Sequence, residues 1–322
     1  MPRIPSQRSA RFVAALPFLP EAGAVPFPGY RLLRLRGRGG FATVWEATSP
    51  TGELVALKFM SSASQGTQGT TSRELRSLQA VQSLSHPSLL RIRQVWSLPG
   101  CIAIAMDLAE ASMLDLLELY VDEFARMIEI ERLCHYMYQI AVGLDFLNAR
   151  RHRIDGKLVG LQHGDIKPNN ILLRGEEAQL ADYGLATPTT GSTTPCPRHG
   201  TAEYCAPEVF HGNLSDRSDQ FSFAVTYHVL RTGCFPFPAP PVEREQLRNY
   251  TRPEPKLIAL PSNERIILSR ALNPIPQDRF VNCVEMMNCL LTINNLQVVR
   301  TDDEGQNLKV IPVSPSQSRR FQ

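Results

Sequence analysis

The sequence predicts an α+β chain built as two lobes, a small β-rich N-lobe and a larger helical C-lobe. Three observations predict it. From Tyr30 to Leu108 the chain carries short, partly alternating apolar runs bounded by turn residues, the pattern of strands. A polar link, Asp107-Leu108-Ala109-Glu110-Ala111-Ser112, then interrupts that texture and is the candidate hinge. Beyond it, apolar residues recur at helical spacing. A length of 322 residues suits one large domain or two lobes sharing a cleft.

Composition excludes several classes. Hydrophobic residues at 43% and charged residues at 20% are ordinary for a soluble globular chain. A net charge of +3 without a basic stripe argues against nucleic acid. No stretch is long enough to span a bilayer. Arg3, Arg8 and Arg11 ahead of Phe12 to Leu19 loosely imitate a secretory signal, but Pro17, Pro20 and Glu21 spoil it. Residues 1–28 therefore read as a flexible, Pro-rich leader. Seven cysteines lie scattered without zinc-like spacing, so reduced thiols and a cytoplasmic location are expected. Redox control through Cys196 and Cys205 is the sharper alternative to plain thiols behaving as small hydrophobes.

In the N-lobe, Tyr30 to Leu35 and Thr43 to Ala47 are strand-like and flank Gly37-Arg38-Gly39-Gly40. That is a hairpin whose tip can bring backbone close to a ligand, because glycine has no Cβ. A dinucleotide fingerprint would need a helix straight after the glycines, and Thr43-Val44-Trp45 favours strand instead. Lys58 sits inside the apolar strand Leu54 to Met60 and must find an anion or snorkel outward. Residues 61–70 read as a flexible loop. A helix follows with Leu75, Leu78 and Val81 on one face. Glu74 either closes a capping box with Thr71 or pairs with Lys58. Two strands, Leu89 to Leu98 and Cys101 to Leu108, meet at Pro99-Gly100.

In the C-lobe, Met113 to Leu117 opens a helix, and Leu133, Met137, Ile140, Ala141, Leu144 and Leu147 mark a long amphipathic one. Residues 150–157 read as a basic, solvated loop. Leu185 to His199 is rich in threonine, lacks periodicity and reads as a mobile loop. Asp219 to Thr232 is a buried helix. Ile266, Ile267 and Ala271, then Val284, Met287, Leu290 and Leu291, mark two more. Residues 293–322 are a polar tail with one β-like run, Leu308 to Val313.

The chemistry concentrates between Leu161 and Glu208. There His163-Gly164-Asp165-Ile166-Lys167-Pro168-Asn169-Asn170, Ala181-Asp182-Tyr183-Gly184 and Ala206-Pro207-Glu208 follow one another. An aspartate to orient a hydroxyl, a lysine for a phosphate and an Asn/Asp pair for a divalent cation share one theme. Phosphoryl transfer needs positioning and charge neutralisation more than covalent chemistry. Taken singly, each has a bland reading, as turn aspartates, a surface lysine or a packed histidine. His163 is read as packed beneath the site.

Together these motifs resemble the eukaryotic-type (Hanks-type) Ser/Thr protein kinases, bacterial ones included, over roughly residues 30–292. The resemblance implies a bilobal protein-kinase-like fold, with a kinase domain over 29–292 (N-lobe 29–108, C-lobe 109–292). It implies transfer of the γ-phosphoryl group of ATP to Ser/Thr hydroxyls of a protein substrate. It makes Asp165 and Lys167 catalytic and Asn170 and Asp182 the Mg²⁺ ligands. It places nucleotide at Gly37, Gly39, Ala42, Val44, Ala56, Lys58, Glu74, Asp107, Ala109 and Leu172. Asp219 matches the aspartate that supports the catalytic loop, and Arg279 the partner of Glu208.

The chain departs from the family pattern at Ala42 for a glycine, Gly164 for an arginine, Tyr183 for a phenylalanine, and Phe221 and Ala224 for Trp and Gly. None removes a catalytic group. The arginine that Gly164 replaces normally pairs with an activation-loop phosphate, so activity is expected not to depend on one. Two rival readings are a catalytically silent scaffold and an aminoglycoside-type small-molecule phosphotransferase. Lys167, Asp182-Tyr183-Gly184 and the Gly200 to Glu208 segment, which resembles a peptide platform, argue against the latter.

Overall fold

The computed structural model describes residues 20–39, 42–61, 68–154, 156–196, 200–301 and 308–313, with backbone alone at 61, 68–74, 244 and 248. The chain divides into two compact units. One comprises residues up to Ser85 together with Leu90–Ala109; the other comprises His86–Leu89 and everything from Glu110.

The first unit is a five-stranded antiparallel sheet with one helix. Its strands are β1 (Arg31–Arg38), β2 (Ala42–Thr48), β3 (Leu54–Ser61), β4 (Ile92–Leu98) and β5 (Cys101–Asp107), in the order β1-β2-β3-β5-β4. Alternation decides its faces. Trp45, Val55, Leu57, Phe59, Ala103 and Ala105 pack together as the core on one side. Val44, Lys58 and Ile104, aligned across β2, β3 and β5, lie on the other. Helix α1 (Gln68–Gln82) buries Leu78 and Val81. It starts at Gln68, so Glu74 lies in its second turn and the capping box expected at Thr71 does not cap it.

Of the flexible leader expected over 1–28, residues 1–19 lie outside the described residues, and residues 23–27 are tied to the sheet. Gly23 N donates to Leu32 O at 2.8 Å and Leu32 N to Ala24 O at 2.9 Å, so residues 23–24 bond to β1. Phe27 stacks on Trp96 with ring centres 3.9 Å apart and joins the core. A single aromatic in a Pro-rich run gives no periodic signal, although a stacked ring pair is worth about 0.5–1.5 kcal/mol beyond its buried area.

The second unit is mostly helical. β6 (Ala111–Ser112) leads into α2 (Met113–Phe124), whose N-terminus is closed by a capping box between Ser112 and Asp115. α3 (Ile130–Asn148) buries Leu133, Met137, Ile140, Ala141, Leu144 and Leu147, the predicted stripe. The basic loop expected at 150–157 is instead part of a hairpin, β7 (His152–Ile154) with β8 (Lys157–Gln162). β9 (Ile171–Arg174) and β10 (Glu177–Leu180) complete a small sheet with β6.

The Thr-rich segment is also more ordered than expected. β11 (Thr187–Thr189) pairs with β8, and β12 (Thr193–Pro195) pairs with β13 (Asn213–Ser215), which follows α4 (Pro207–Phe210). Three-residue strands are too short to show alternation, so the ladder partners decide. Residues 197–199 lie outside the described residues. Thr189 is only 1% exposed, whereas Thr190, Ser192 and Thr193 are exposed.

α5 (Ser218–Thr232) is buried along almost its whole length and ends at Gly233, whose φ of +73° makes the left-handed cap. α6 (Arg244–Arg248) carried no predicted signal. α7 (Ser262–Ala271) buries Ile267, Leu268 and Ala271 but leaves Ile266 77% exposed, so its apolar stripe is narrower than expected. α8 (Cys283–Ile293) follows. The tail is not simply polar. β14 (Leu296–Arg300) and β15 (Leu308–Pro312) form a hairpin that packs against α3, burying Leu296 and Val310.

Candidate active site

The loop from His163 to Asn170 is suspended from a buried carboxylate. Asp219, at the start of α5, accepts the amide N–H of His163 at 2.5 Å through Oδ2 and that of Gly164 at 2.9 Å through Oδ1. Burial pushes the Asp219 carboxyl above its ordinary range, against the pull of His163 and the two amides. His163 is fully buried, and its Nε2 donates to Ala181 O at 2.9 Å while Nδ1 accepts from Asp165 N at 3.3 Å. A carbonyl can only accept, so the hydrogen sits on Nε2. His163 thus ties this loop to the residue preceding Asp182, the packed role expected of it.

Gly164 has φ = +80°, and a Cβ there would stand 3.3 Å from Leu185 O. An L side chain at this position would be strained, and glycine is at ease. Asp165 follows, and four donors converge on its carboxylate. Thr201 N and Thr201 Oγ1 both reach Oδ1 at 2.8 Å; Asn170 Nδ2 reaches Oδ2 at 3.0 Å and Lys167 Nζ reaches it at 2.8 Å. Lys167 Nζ also donates to Thr201 Oγ1 at 2.7 Å, closing a ring of contacts. Burial works to raise the Asp165 pKa, but the charge of Lys167 and the bonds from Lys167 and Thr201 outweigh it and hold the carboxyl below its usual range.

Asn170 donates a further bond to Asp165 O at 2.8 Å, so its Nδ2 is committed and its amide oxygen is the atom it can offer a cation. Asp182 stands in the left-handed region, φ = +67° and ψ = +62°, at the entry to a 3₁₀ turn, Tyr183–Leu185. Tyr183 is 2% exposed, and its hydroxyl donates to Leu180 O at 2.5 Å. That bond satisfies the group that distinguishes tyrosine from the phenylalanine expected here. Leu172 is a half-buried residue of β9, opposite Ser112.

Gly200 explains how Thr201 comes so near. A Cβ on Gly200 would lie 2.2 Å from Gly164 O and 2.9 Å from Asp165 Oδ1. Only glycine permits this approach. The far end of the segment is fixed at Glu208. Arg279 grips it with two parallel bonds, Nη1 to Oε1 at 2.9 Å and Nη2 to Oε2 at 2.8 Å. Ser215 and Ser218 hydroxyls add bonds of 2.9 and 2.8 Å to Oε1. Burial raises the Glu208 pKa, and Arg279 more than reverses that, so it too falls below the ordinary value.

In the first unit, Gly37, Val44 and Lys58 are aligned across β1, β2 and β3, with Ala56 two residues from Lys58 on the same face. Gly39 N donates to Ala42 O at 2.8 Å across the hairpin tip. Gly40 and Phe41, and the side chain of Glu74, lie outside the described residues. Asp107 Oδ1 accepts from Arg93 Nε at 2.6 Å and its N–H donates to Arg91 O at 3.1 Å, so both its carboxylate and its amide are engaged. Ala109 O accepts from Arg36 Nη2 at 3.4 Å.

Comparison with known proteins follows the same motifs. A family model described as "Protein kinase domain" matches residues 30–294. The chain belongs to the protein kinase domain family. Similar proteins include the serine/threonine-protein kinase PknF of Mycobacterium tuberculosis, 28% identical over 289 residues that cover 84% of this chain and 58% of that protein. PknI of Mycobacterium bovis is 29% identical over 281 residues, 84% of this chain and 42% of that protein. The chain thus spans roughly half the length of these curated relatives. The solved kinase domain of Mycobacterium tuberculosis PknI superposes with a TM-score of 0.63 at 25% identity, covering 84% of this chain and 98% of that one. The bilobal kinase fold expected from the sequence agrees with that likeness. The family match ends at 294, so β14 and β15 lie wholly beyond it.

Proposed function

We propose that the chain transfers the γ-phosphoryl group of ATP to serine or threonine hydroxyls of protein substrates. The observation that carries this is the Asp165 carboxylate, partly buried, held ionised and aimed by Thr201, Asn170 and Lys167. A carboxylate whose pKa is depressed is a weak base, so Asp165 acts chiefly by orienting the acceptor hydroxyl and takes its proton late in the transfer. Lys167, 2.8 Å from Asp165, turns to the transferring group and offsets its charge. Lys58 steadies the α- and β-phosphates with Glu74 as partner, and Gly37, Gly39, Ala42 and Val44 cover them. Ala56, Leu172 and the backbone of Asp107 and Ala109 hold the base.

Asn170 and Asp182 fit a divalent cation. Their oxygen donors match what Mg²⁺ prefers, and Mg²⁺ is ordinarily held by one or two protein groups plus phosphates and water. In keeping with this, the described residues contain no group of three or more His, Cys, Asp or Glu poised for a metal. Mg²⁺ held by Asn170 and Asp182 would neutralise the charge that develops on the phosphates. Gly164 supports activity that does not depend on loop phosphorylation, because it supplies no cation for a phosphate. Among the described residues no helix is long and apolar enough to cross a membrane. A cytoplasmic location for the chain, a protein substrate with a Ser/Thr acceptor and no nucleic acid complete the reading.

Phosphate incorporation into generic protein substrates with Mg-ATP tests it. Asp165→Asn is expected to cost about 10²–10⁴ in rate. Lys58→Met and Asp182→Ala are expected to abolish transfer in folded protein. Full turnover in any of the three overturns the assignment. Transfer to aminoglycosides instead of protein overturns the substrate class.

A further inference from the structure

Arg252 lies outside every motif named above and is only 8% exposed. Its Nε donates to Cys205 O at 2.8 Å, and its Nη2 donates to Ala202 O at 2.6 Å and Glu203 O at 2.9 Å. Three rings surround the guanidinium, with centres 4.7 Å (Phe237), 5.1 Å (Phe210) and 5.6 Å (Phe221) from its carbon. It forms no salt bridge among the described residues, and its buried Nη1 makes no hydrogen bond. Burial pushes its pKa below the ordinary arginine value. A buried cation without an acid is costly to keep.

What the arginine gains is a set of carbonyls that no regular element satisfies. Residues 200–206 are turn and irregular chain. A planar fork of donors can serve three of their carbonyls at once, which a lysine ammonium cannot do with the same fixed geometry. The same residues brace the catalytic loop from the other side, through the close approach of Gly200 and the two bonds from Thr201 to Asp165 Oδ1.

We propose that Arg252 is a positioning residue, a carbonyl clamp that holds Ala202–Cys205 so that Thr201 stays on Asp165 and an incoming peptide meets a preformed platform. The kinetic part of this inference rests on the phosphotransfer reading; the clamp itself does not.

The test compares wild type with Arg252→Met and Arg252→Lys in the full chain. Hydrogen exchange is read at residues 200–206, and peptide and nucleotide kinetics are normalised to the number of sites that bind a fluorescent Mg-ATP analogue. In Arg252→Met, exchange at Ala202–Cys205 should quicken at least tenfold while α3 is unchanged. The peptide KM should rise at least fivefold, and nucleotide affinity should stay within twofold. Arg252→Lys keeps the charge but not the fork, and should recover only part of both effects. Exchange within twofold of wild type in a folded Arg252→Met, or an unchanged peptide KM per binding site, overturns the clamp. Should the methionine variant fail to fold, wild-type values of exchange and KM in Arg252→Lys overturn it. A wild type without phosphotransfer defeats the kinase reading alone, and the exchange measurement then decides Arg252.

Discussion

Arg279 and Arg252 hold opposite ends of the segment from Ala202 to Glu208, and they do so with different chemistry. Arg279 is 1% exposed and meets a carboxylate in a two-pronged ion pair, with Asn273 O, Arg217 O and Pro274 O taking its remaining donors at 2.8, 3.0 and 3.4 Å. Arg252 meets carbonyls and aromatic faces. Phe221 serves both, 4.9 Å from the guanidinium of Arg279 and 5.6 Å from that of Arg252. The contrast separates two ways of keeping a cation inside a protein. One neutralises it with an opposite charge that must never be left alone. The other spreads it over neutral dipoles and π-faces, each of which survives its removal more easily.

The largest expected effect follows from the first. Arg279→Met strands the Glu208 carboxylate in a buried site, and loss of one partner of a buried pair costs about 3–5 kcal/mol. Urea unfolding measures it, and a loss below about 1 kcal/mol would erase the distinction. Arg252→Met should cost less, about 1–3 kcal/mol, because it orphans carbonyls of which those of the partly exposed Ala202 and Glu203 can turn to water. Equal losses in the two variants would show that the charge partner does not matter.

Acid sharpens the comparison further. The folded-state pKa of Glu208 is depressed, so its pair contributes stability that is fully present above the ordinary glutamate value of 4.5 and is lost as pH falls through the folded value. The melting temperature of wild type should fall in that window, and Glu208→Gln should flatten the slope. Arg252 has no carboxylate to titrate, so Arg252→Met should keep the wild-type slope. The smallest effect is expected between the two anchors and Asp182. Replacing Thr190 and Thr193 by alanine should change phosphotransfer by no more than about twofold, because Gly164 offers no cation to a loop phosphate. A tenfold loss would refute that reading of Gly164.

The hairpin at Gly37–Gly39, the buried stripe of α3 and the run from His163 to Asp182 were legible in the sequence, because each has a fixed spacing or a period that survives without coordinates. The pairing of Glu208 with Arg279, 71 residues apart, came only from the resemblance to protein kinases. Arg252 was not legible. It is an arginine before a proline, and its three carbonyl partners are backbone atoms that any sequence would supply. Gly200 was visible only as a glycine, since the 2.2 Å approach that demands it is a tertiary fact. The strands Thr187–Thr189 and Thr193–Pro195 were misread as a mobile loop because their order comes from β8 and β13 rather than from themselves. The hairpin of β14 and β15 escaped for a related reason. Its first strand, Leu296–Arg300, mixes polar and apolar residues and packs against α8, while α3 covers the second strand.

The four donors on Asp165 carry a consequence for how ATP survives between encounters with protein. A carboxylate has about four lone-pair sites, and here Thr201 N, Thr201 Oγ1, Asn170 Nδ2 and Lys167 Nζ occupy them. Under the proposed reading, a wandering water must evict one of these donors and offers only a single hydrogen bond in exchange. A peptide hydroxyl arrives with the affinity of its whole chain behind it. The full carboxylate thus works as a filter on nucleophiles, sparing the nucleotide from hydrolysis and opening only to a guest bound elsewhere as well.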